Sequence, residues 1–224
     1  MTTPPSGRSL HVALRSGAGR TPSSRRWLER QLNDPYVRAA QQRGWRSRAA
    51  FKLLELDQRF QLIPRGGAVL DLGAAPGGWA QVALAQGAAR VVGVDLLPID
   101  PLPGATFLQG DFHDPEMPAR LAAALGGAAA LVLSDLAPNT TGHAATDHLR
   151  IMALAELALD LAASVLAPDG AFVTKLFQGG AERSMLERLK RDFATVRHAK
   201  PPASRKESSE WYVIAQGFKG AEVS

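Results

Sequence analysis

Four aspartates, Asp71, Asp95, Asp111 and Asp135, each end a short apolar run, at 68–70, 90–94, 105–108 and 130–134. Such runs, bounded by turn residues, read as buried β-strands. The carboxylates therefore stand at the carboxyl ends of four successive strands, where open α/β sheets bind their ligands. A ring of acids there repels a pyrophosphate. It suits a cation that also offers amino and hydroxyl donors, and S-adenosylmethionine combines a sulfonium, an adenine amino group and a ribose diol. Asp71 opens the turn Leu72-Gly73-Ala74-Ala75-Pro76-Gly77-Gly78-Trp79. This is Gly-x-x-x-Gly-Gly, not the Gly-x-Gly-x-x-Gly of dinucleotide enzymes. Its glycines allow close approach of the backbone to a ligand, and Pro76 stiffens the turn. Asp95 follows Asp71 at the distance typical of an acid that binds a ribose diol, a signal that alone fits NAD equally. Asp111 is placed to accept from the adenine amino group. A single such aspartate is more often a helix or turn cap; four at successive strand ends point to a site. The expected cofactor set is Asp71, Gly73, Ala74, Pro76, Gly77, Gly78, Trp79, Asp95, Leu96, Asp111, Phe112 and Asp135.

Composition removes several alternatives. The chain has 224 residues and no cysteine, so disulfides, cysteine-based zinc sites and cysteine-dependent methylation of a pyrimidine carbon are excluded. No apolar stretch approaches the roughly 20 residues that span a bilayer. The net charge of +5 resides in residues 1–28, where Arg8, Arg15, Arg20, Arg25 and Arg26 meet no acid. Such a tail suits either a polyanionic partner or a solvated, disordered segment. It also resembles a mitochondrial transit peptide, but prolines and glycines spoil its amphipathicity. A cytoplasmic enzyme is expected, with the mitochondrial matrix as the alternative.

The elements that would position these acids follow from periodicity. Residues 1–24 form a basic tail and 25–220 one domain, divided into basic helices over 25–65 and a Rossmann-like core over 66–220. A helix should start at Asn33 or Asp34 before Pro35, break near Gly44, and restart at Ser47 as a cap to run to Phe60. Arg38, Arg43, Arg46, Arg48 and Lys52, with Trp45 among them, could hold RNA phosphates or simply form a solvated helix pair. Strands are predicted near 68–73, 89–95, 105–110, 130–135 and 171–177, with helices near 78–86, 115–125, 146–167 and 181–192. Alternation of this kind gives a parallel sheet. Thr195–Lys200 and Trp211–Gln216 have no helix between them and should pair antiparallel. The expected fold is α/β: a Rossmann-like, seven-stranded, mostly parallel sheet with an antiparallel carboxyl-terminal strand.

Five segments in order carry a family resemblance: Ser47-Arg48-Ala49-Ala50-Phe51-Lys52-Leu53, Asp71 to Trp79, Ser134-Asp135-Leu136-Ala137-Pro138-Asn139, Lys175-Leu176-Phe177-Gln178 and Ser209-Glu210-Trp211-Tyr212. Together they resemble the FtsJ-type RNA 2′-O-methyltransferases over about residues 24–217. Asp95 to Pro101 and Leu108 to Phe112 sharpen the likeness to bacterial members that methylate a uridine ribose in the A loop of 23S rRNA. The resemblance implies a Lys-Asp-Lys-Glu tetrad at Lys52, Asp135, Lys175 and Glu210. It also implies S-adenosylmethionine as cofactor and the large ribosomal subunit as partner, with no metal and no covalent intermediate.

Chemistry supports that transfer of roles. A ribose hydroxyl is a weak acid, and a free lysine, with a pKa of about 10.4, is protonated at pH 7. Two lysines side by side repel each other's charge, which would free one amine to act as base. Lys175, on a strand end otherwise apolar, is the expected base. Asp135 would orient it, Glu210 would position the lysines or the ribose, and Lys52 would steady the oxyanion or a phosphate. The competing readings are a tRNA 2′-O-methyltransferase, a non-catalytic RNA-binding assembly factor and a nicotinamide-dependent oxidoreductase. The glycine pattern and the crowded acids disfavour the last. A monomer is the default oligomeric state.

Overall fold

In the computed structural model, residues 28–29, 31–111, 113–136, 144–177 and 183–220 are described. The basic tail, Phe112, the 137–143 stretch and Gln178 lie outside them. Helix α1 (Pro35–Gln42) starts where Asp34 caps the Tyr36 amide at 3.0 Å, with Pro35 in the first turn. Helix α2 (Ala49–Phe60) begins without the cap expected at Ser47; Arg48 occupies the cap position and makes no side-chain cap bond. Ser47 packs instead against the glycine turn, where a β-carbon on Gly78 would meet its Oγ. Leu53, Leu56 and Phe60 turn one face of α2 inward, and Lys52 is buried with them.

The sheet then builds as β1 (Ala68–Leu72), α3 (Gly78–Ala85), β2 (Arg90–Asp95), β3 (Ala105–Gln109), α4 (Met117–Leu125), β4 (Ala129–Ser134), α5 (Ala144–Val165), β5 (Leu166–Phe177), α6 (Arg183–Asp192), β6 (Phe193–Ala199) and β7 (Glu210–Phe218). The strand order is β3-β2-β1-β4-β5-β7-β6. Strands β1 to β5 pair in parallel through β2·β3, β1·β2, β1·β4 and β4·β5. Only β7 runs against its neighbours, between β5 and β6. The short link from Ala199 to Glu210 holds no crossover helix, so the chain can return only antiparallel. The predicted class, a seven-stranded mostly parallel sheet with an antiparallel last strand, is the observed one.

Alternation along the buried strands divides the core between two faces. Leu70, Leu72, Val132 and Phe172 meet α4, α5 and α6 on one side. Val69, Leu131, Leu133 and Val173 meet α2 and α3 on the other. One boundary moves. The Ala- and Leu-rich pattern predicts a helix to 167 and a strand from 171, but α5 stops at Val165 and β5 already pairs Leu166 with Ala129. The Pro168-Asp169-Gly170 turn is taken up inside the strand as a register shift, with Asp169 at φ 63°, before pairing resumes at Ala171 with Leu131. Among the described residues no helix is long and apolar enough to cross a membrane.

Candidate active site

Strand register assembles the tetrad. In the antiparallel pair β5·β7, Lys175 lies opposite Tyr212 and Phe177 opposite Glu210. A strand's period of two then puts Lys175, Tyr212 and Glu210 on one face. Asp135 follows Ser134, whose partner is Thr174, so it reaches the same level from β4. Helix α2 packs over this face and brings Lys52. The Lys175 Nζ lies 3.1 Å from Asp135 Oδ1 and donates to the Asp135 carbonyl at 2.8 Å. The Lys52 Nζ lies 2.9 Å from Glu210 Oε1 and donates to the Tyr212 hydroxyl at 3.1 Å. That hydroxyl donates to Asp135 Oδ1 at 2.6 Å. All four residues expected from the resemblance come together.

The pairing changes the electrostatic picture drawn from the two lysines alone. Each ammonium has its own carboxylate, so the repulsion expected between them is compensated on both sides. Burial opposes ionisation of Asp135, but Lys175, Lys52 and the hydrogen bonds from Tyr212 and Lys175 outweigh it and hold its carboxyl below the ordinary range. Tyr212 behaves oppositely: burial, then Asp135 and Glu210, push its hydroxyl well above 10, and it stays protonated. Tyr212 belongs to the motif Glu210-Trp211-Tyr212, but sequence alone assigns it no role. Its place beside Glu210 follows from strand period; its place opposite Lys175 needs the register.

The residues expected to hold the cofactor fall into three groups. Asp71 is buried, with one oxygen taking the Ala80 amide and the other, Oδ2, lacking a partner. Burial, Asp135 and Asp95 push its pKa to about 8. An acid of this kind, orphaned among other acids, fits a cationic ligand. Asp95 accepts the amide of Leu97 in its own turn and that of Ala75 in the glycine turn after β1, each at 2.9 Å, and Asp111 accepts the nearby His113 amide at 2.9 Å. Both carboxylates keep lone pairs for a diol or an amine. Leu96 is exposed beside Asp95, whereas Trp79 lies in the core, its indole N–H on the Ala49 carbonyl at 2.8 Å.

The glycines answer to protein neighbours as well as to any ligand. A β-carbon on Gly77, whose φ is +102°, would come within 2.7 Å of Arg46 Nη1, and one on Gly78 within 2.5 Å of Ser47 Oγ. The Gly44–Ser47 segment is thus latched onto the turn that contains Ala74 and Pro76. Arg46 donates to the carbonyls of Pro76 (3.2 Å), Asp100 (2.7 Å) and Pro101 (2.7 Å), joining the loops after β1 and β2.

The other residues assigned to RNA are also engaged within the protein. Arg48 pairs with Asp34 at 2.9 Å and donates to Ala203, Arg38 donates twice to Leu32, and Arg43 lies 5.3 Å over the Phe51 ring. An Arg46→Ala variant is expected to weaken cofactor binding about tenfold, since three backbone acceptors on two loops lose a charged donor. Its RNA affinity and the salt dependence of that affinity should change little. Titration calorimetry with cofactor and filter binding with RNA at several salt concentrations measure the two effects separately.

Comparison with known proteins agrees with this geometry. Residues 45–218 match the FtsJ-like methyltransferase family. Two relatives, each described as ribosomal RNA large subunit methyltransferase E, come from Granulibacter bethesdensis and Acidiphilium cryptum. The first is 65% identical over 97% of this chain and 95% of its own. The second is 65% identical over 96% of this chain and 95% of its own. Among solved structures, a Plasmodium falciparum protein described as a ribosomal RNA methyltransferase superposes with a TM-score of 0.71 at 28% identity, over 79% of this chain and 100% of that one. The chain belongs to the FtsJ-like methyltransferase family.

Proposed function

We propose that this enzyme uses S-adenosylmethionine to methylate a ribose 2′-hydroxyl of large-subunit ribosomal RNA, a uridine in the A loop of 23S rRNA, on the assembled subunit. The observation that carries the reading is the pair of acceptors at Lys175. A neutral amine has two N–H groups, and Asp135 offers two acceptors, its carbonyl at 2.8 Å and its carboxylate at 3.1 Å. With both hydrogens so placed, the lone pair is left to face a substrate hydroxyl.

Asp71, Asp95, Asp111 and the 73–78 turn would hold the cofactor. Bound there, it would supply a methyl group from a sulfonium, whose sulfur would keep the electron pair of the broken C–S bond. The chain's own residues manage the acceptor. Lys175 takes the proton of the 2′-hydroxyl as the new O–CH₃ bond forms, and Asp135 fixes the direction of its amine. As an ammonium, Lys52 has three N–H donors; Glu210 and Tyr212 engage two, and the third can meet the developing oxyanion or the adjacent phosphate. Holding the hydroxyl and the methyl donor together provides much of the acceleration. The names of the relatives support ribosomal RNA of the large subunit as substrate; the uridine and the A loop rest on the motif resemblance.

Tritiated methyl transfer to undermethylated large subunits, free 23S rRNA and total tRNA, with the label mapped to a nucleotide, tests the proposal. Label on subunits at a 2′-O-methyluridine is the expected result. Label on tRNA alone would keep the chemistry and overturn the target. No label on any RNA, with cofactor still bound, would point to a non-catalytic assembly role.

A further inference from the structure

Tyr212 bonds to both halves of the tetrad, to Lys52 and to Asp135. Its ring is fully buried. The indole of Trp79 lies 5.8 Å from it and is itself tied to Ala49, at the start of the helix that carries Lys52. From the other side the Lys52 ammonium lies 5.6 Å from the ring centre. Its cross-strand partner is Lys175. A phenol has one proton and at least one accepting lone pair. Here the proton goes to Asp135 Oδ1 at 2.6 Å, and the oxygen accepts from Lys52 at 3.1 Å. The chain of bonds therefore has a direction: Lys52 donates to Tyr212, Tyr212 donates to Asp135, and Asp135 faces Lys175.

We propose that Tyr212 is a positioning residue that makes the two lysines unequal, keeping Lys52 a donor and leaving Lys175 free to act as base. The inference rests on the methyl-transfer reading above. Both lysines face a carboxylate at similar distance, 2.9 Å for Lys52 and 3.1 Å for Lys175. Carboxylate pairing therefore does not decide which amine gives up its proton. The hydroxyl does. It removes negative charge from Asp135, which weakens the hold of that carboxylate on the Lys175 proton. It also presents Lys52 with an oxygen that only accepts, so Lys52 must spend an N–H on it. The groups facing the hydroxyl are Lys52 from α2, Arg48 at its cap, Asp135 after β4, Lys175 on β5 and Glu210 on β7. Burial and the nearby acids keep its proton in place over the working pH range. It therefore acts by polarising, without titrating.

Tyr212→Phe preserves the ring and deletes the donor. In single-turnover methyl transfer with saturating cofactor and RNA, the acid limb of the pH–rate profile should move up by about one pH unit. The rate should fall about tenfold at pH 7 and recover toward wild type at alkaline pH, with cofactor affinity within about threefold. Replacing Tyr212 by 2,3,5-trifluorotyrosine, a stronger donor of nearly the same shape, should move the same limb to lower pH. A loss equal at every pH, or limbs that move the same way in both variants, overturns the proposal and leaves Tyr212 a packing residue. If the Phe variant fails to fold, the fluorinated protein carries the test alone: a limb shifted down supports the role and an unmoved limb refutes it. An active wild type with unmoved limbs sinks this inference only, whereas a wild type that methylates no RNA sinks the reading beneath it.

Discussion

Lys175→Met is expected to slow methyl transfer about 10³-fold in single turnover, within the range a positioned general base contributes. That factor corresponds to about 4 kcal/mol of lost transition-state stabilisation. Cofactor affinity should hold or rise slightly, because the variant leaves Asp135 one cation short. Met keeps the length and apolar stem of a side chain buried at a strand end, so the fold should survive with a modest change in Tm. The informative companion is Lys175→Arg. It keeps the positive charge beside Asp135 but cannot be deprotonated at working pH. If Lys175 acts as base, Arg is as inactive as Met; if only its charge matters, Arg restores most of the rate and the assignment fails. Lys52→Met should behave differently. Its role is to donate, so the loss is smaller, about 10- to 100-fold, and part of it appears as a higher KM for RNA.

The sheet was legible because its strands are buried runs that end at turn residues, and the alternation of strand and helix admits few topologies. Position along the chain was enough to gather Asp71, Asp95 and Asp135 at one edge. Lys52 and Glu210 needed the family motifs, since nothing in α2 marks one buried lysine from its exposed neighbours. Two things could not be read from one dimension. The antiparallel register of β5 with β7 decides that Tyr212, not Trp211, faces Lys175. The path of the 44–48 segment decides that Arg46 and Arg48 reach backbone carbonyls and Asp34. A cluster of arginines looks the same in sequence whether it meets phosphates or carbonyl oxygens; only the neighbours brought by folding distinguish them. The glycines show the same ambiguity. Gly77 and Gly78 suit a ligand-binding turn, yet Arg46 and Ser47 already fill the space that β-carbons there would take.

Cofactor binding should gain about tenfold in affinity for each pH unit up to about 8 and then level off, because the group that receives the cation must first ionise. Under the proposed function, Asp71 is that group. It is buried, its Oδ2 has no partner, and burial, then Asp135 and Asp95, raise its pKa to about 8. A cationic ligand beside it favours the carboxylate, so binding near pH 7 should release close to one proton. Calorimetry in two buffers of different ionisation enthalpy measures that proton directly. Asp71→Asn keeps an oxygen for the Ala80 amide and removes the titration: affinity should fall at pH 8 and above and lose its pH slope, with no proton released. Folding stability runs the other way. An unfolded aspartate loses its proton near pH 4, while the folded one keeps it to about 8. Between those values the native state binds more protons, so stability falls as pH rises, by about 1.4 kcal/mol per pH unit from this group alone. Asp71→Asn should therefore raise the Tm of the free protein at pH 7.5 by roughly 10–20 °C while weakening its hold on the cofactor. A variant with lower Tm and unchanged cofactor affinity would place Asp71 among the structural acids. The expected trade, stability gained and binding lost at one buried carboxylate, would show that the acid is kept at a cost to the fold because the cation requires it.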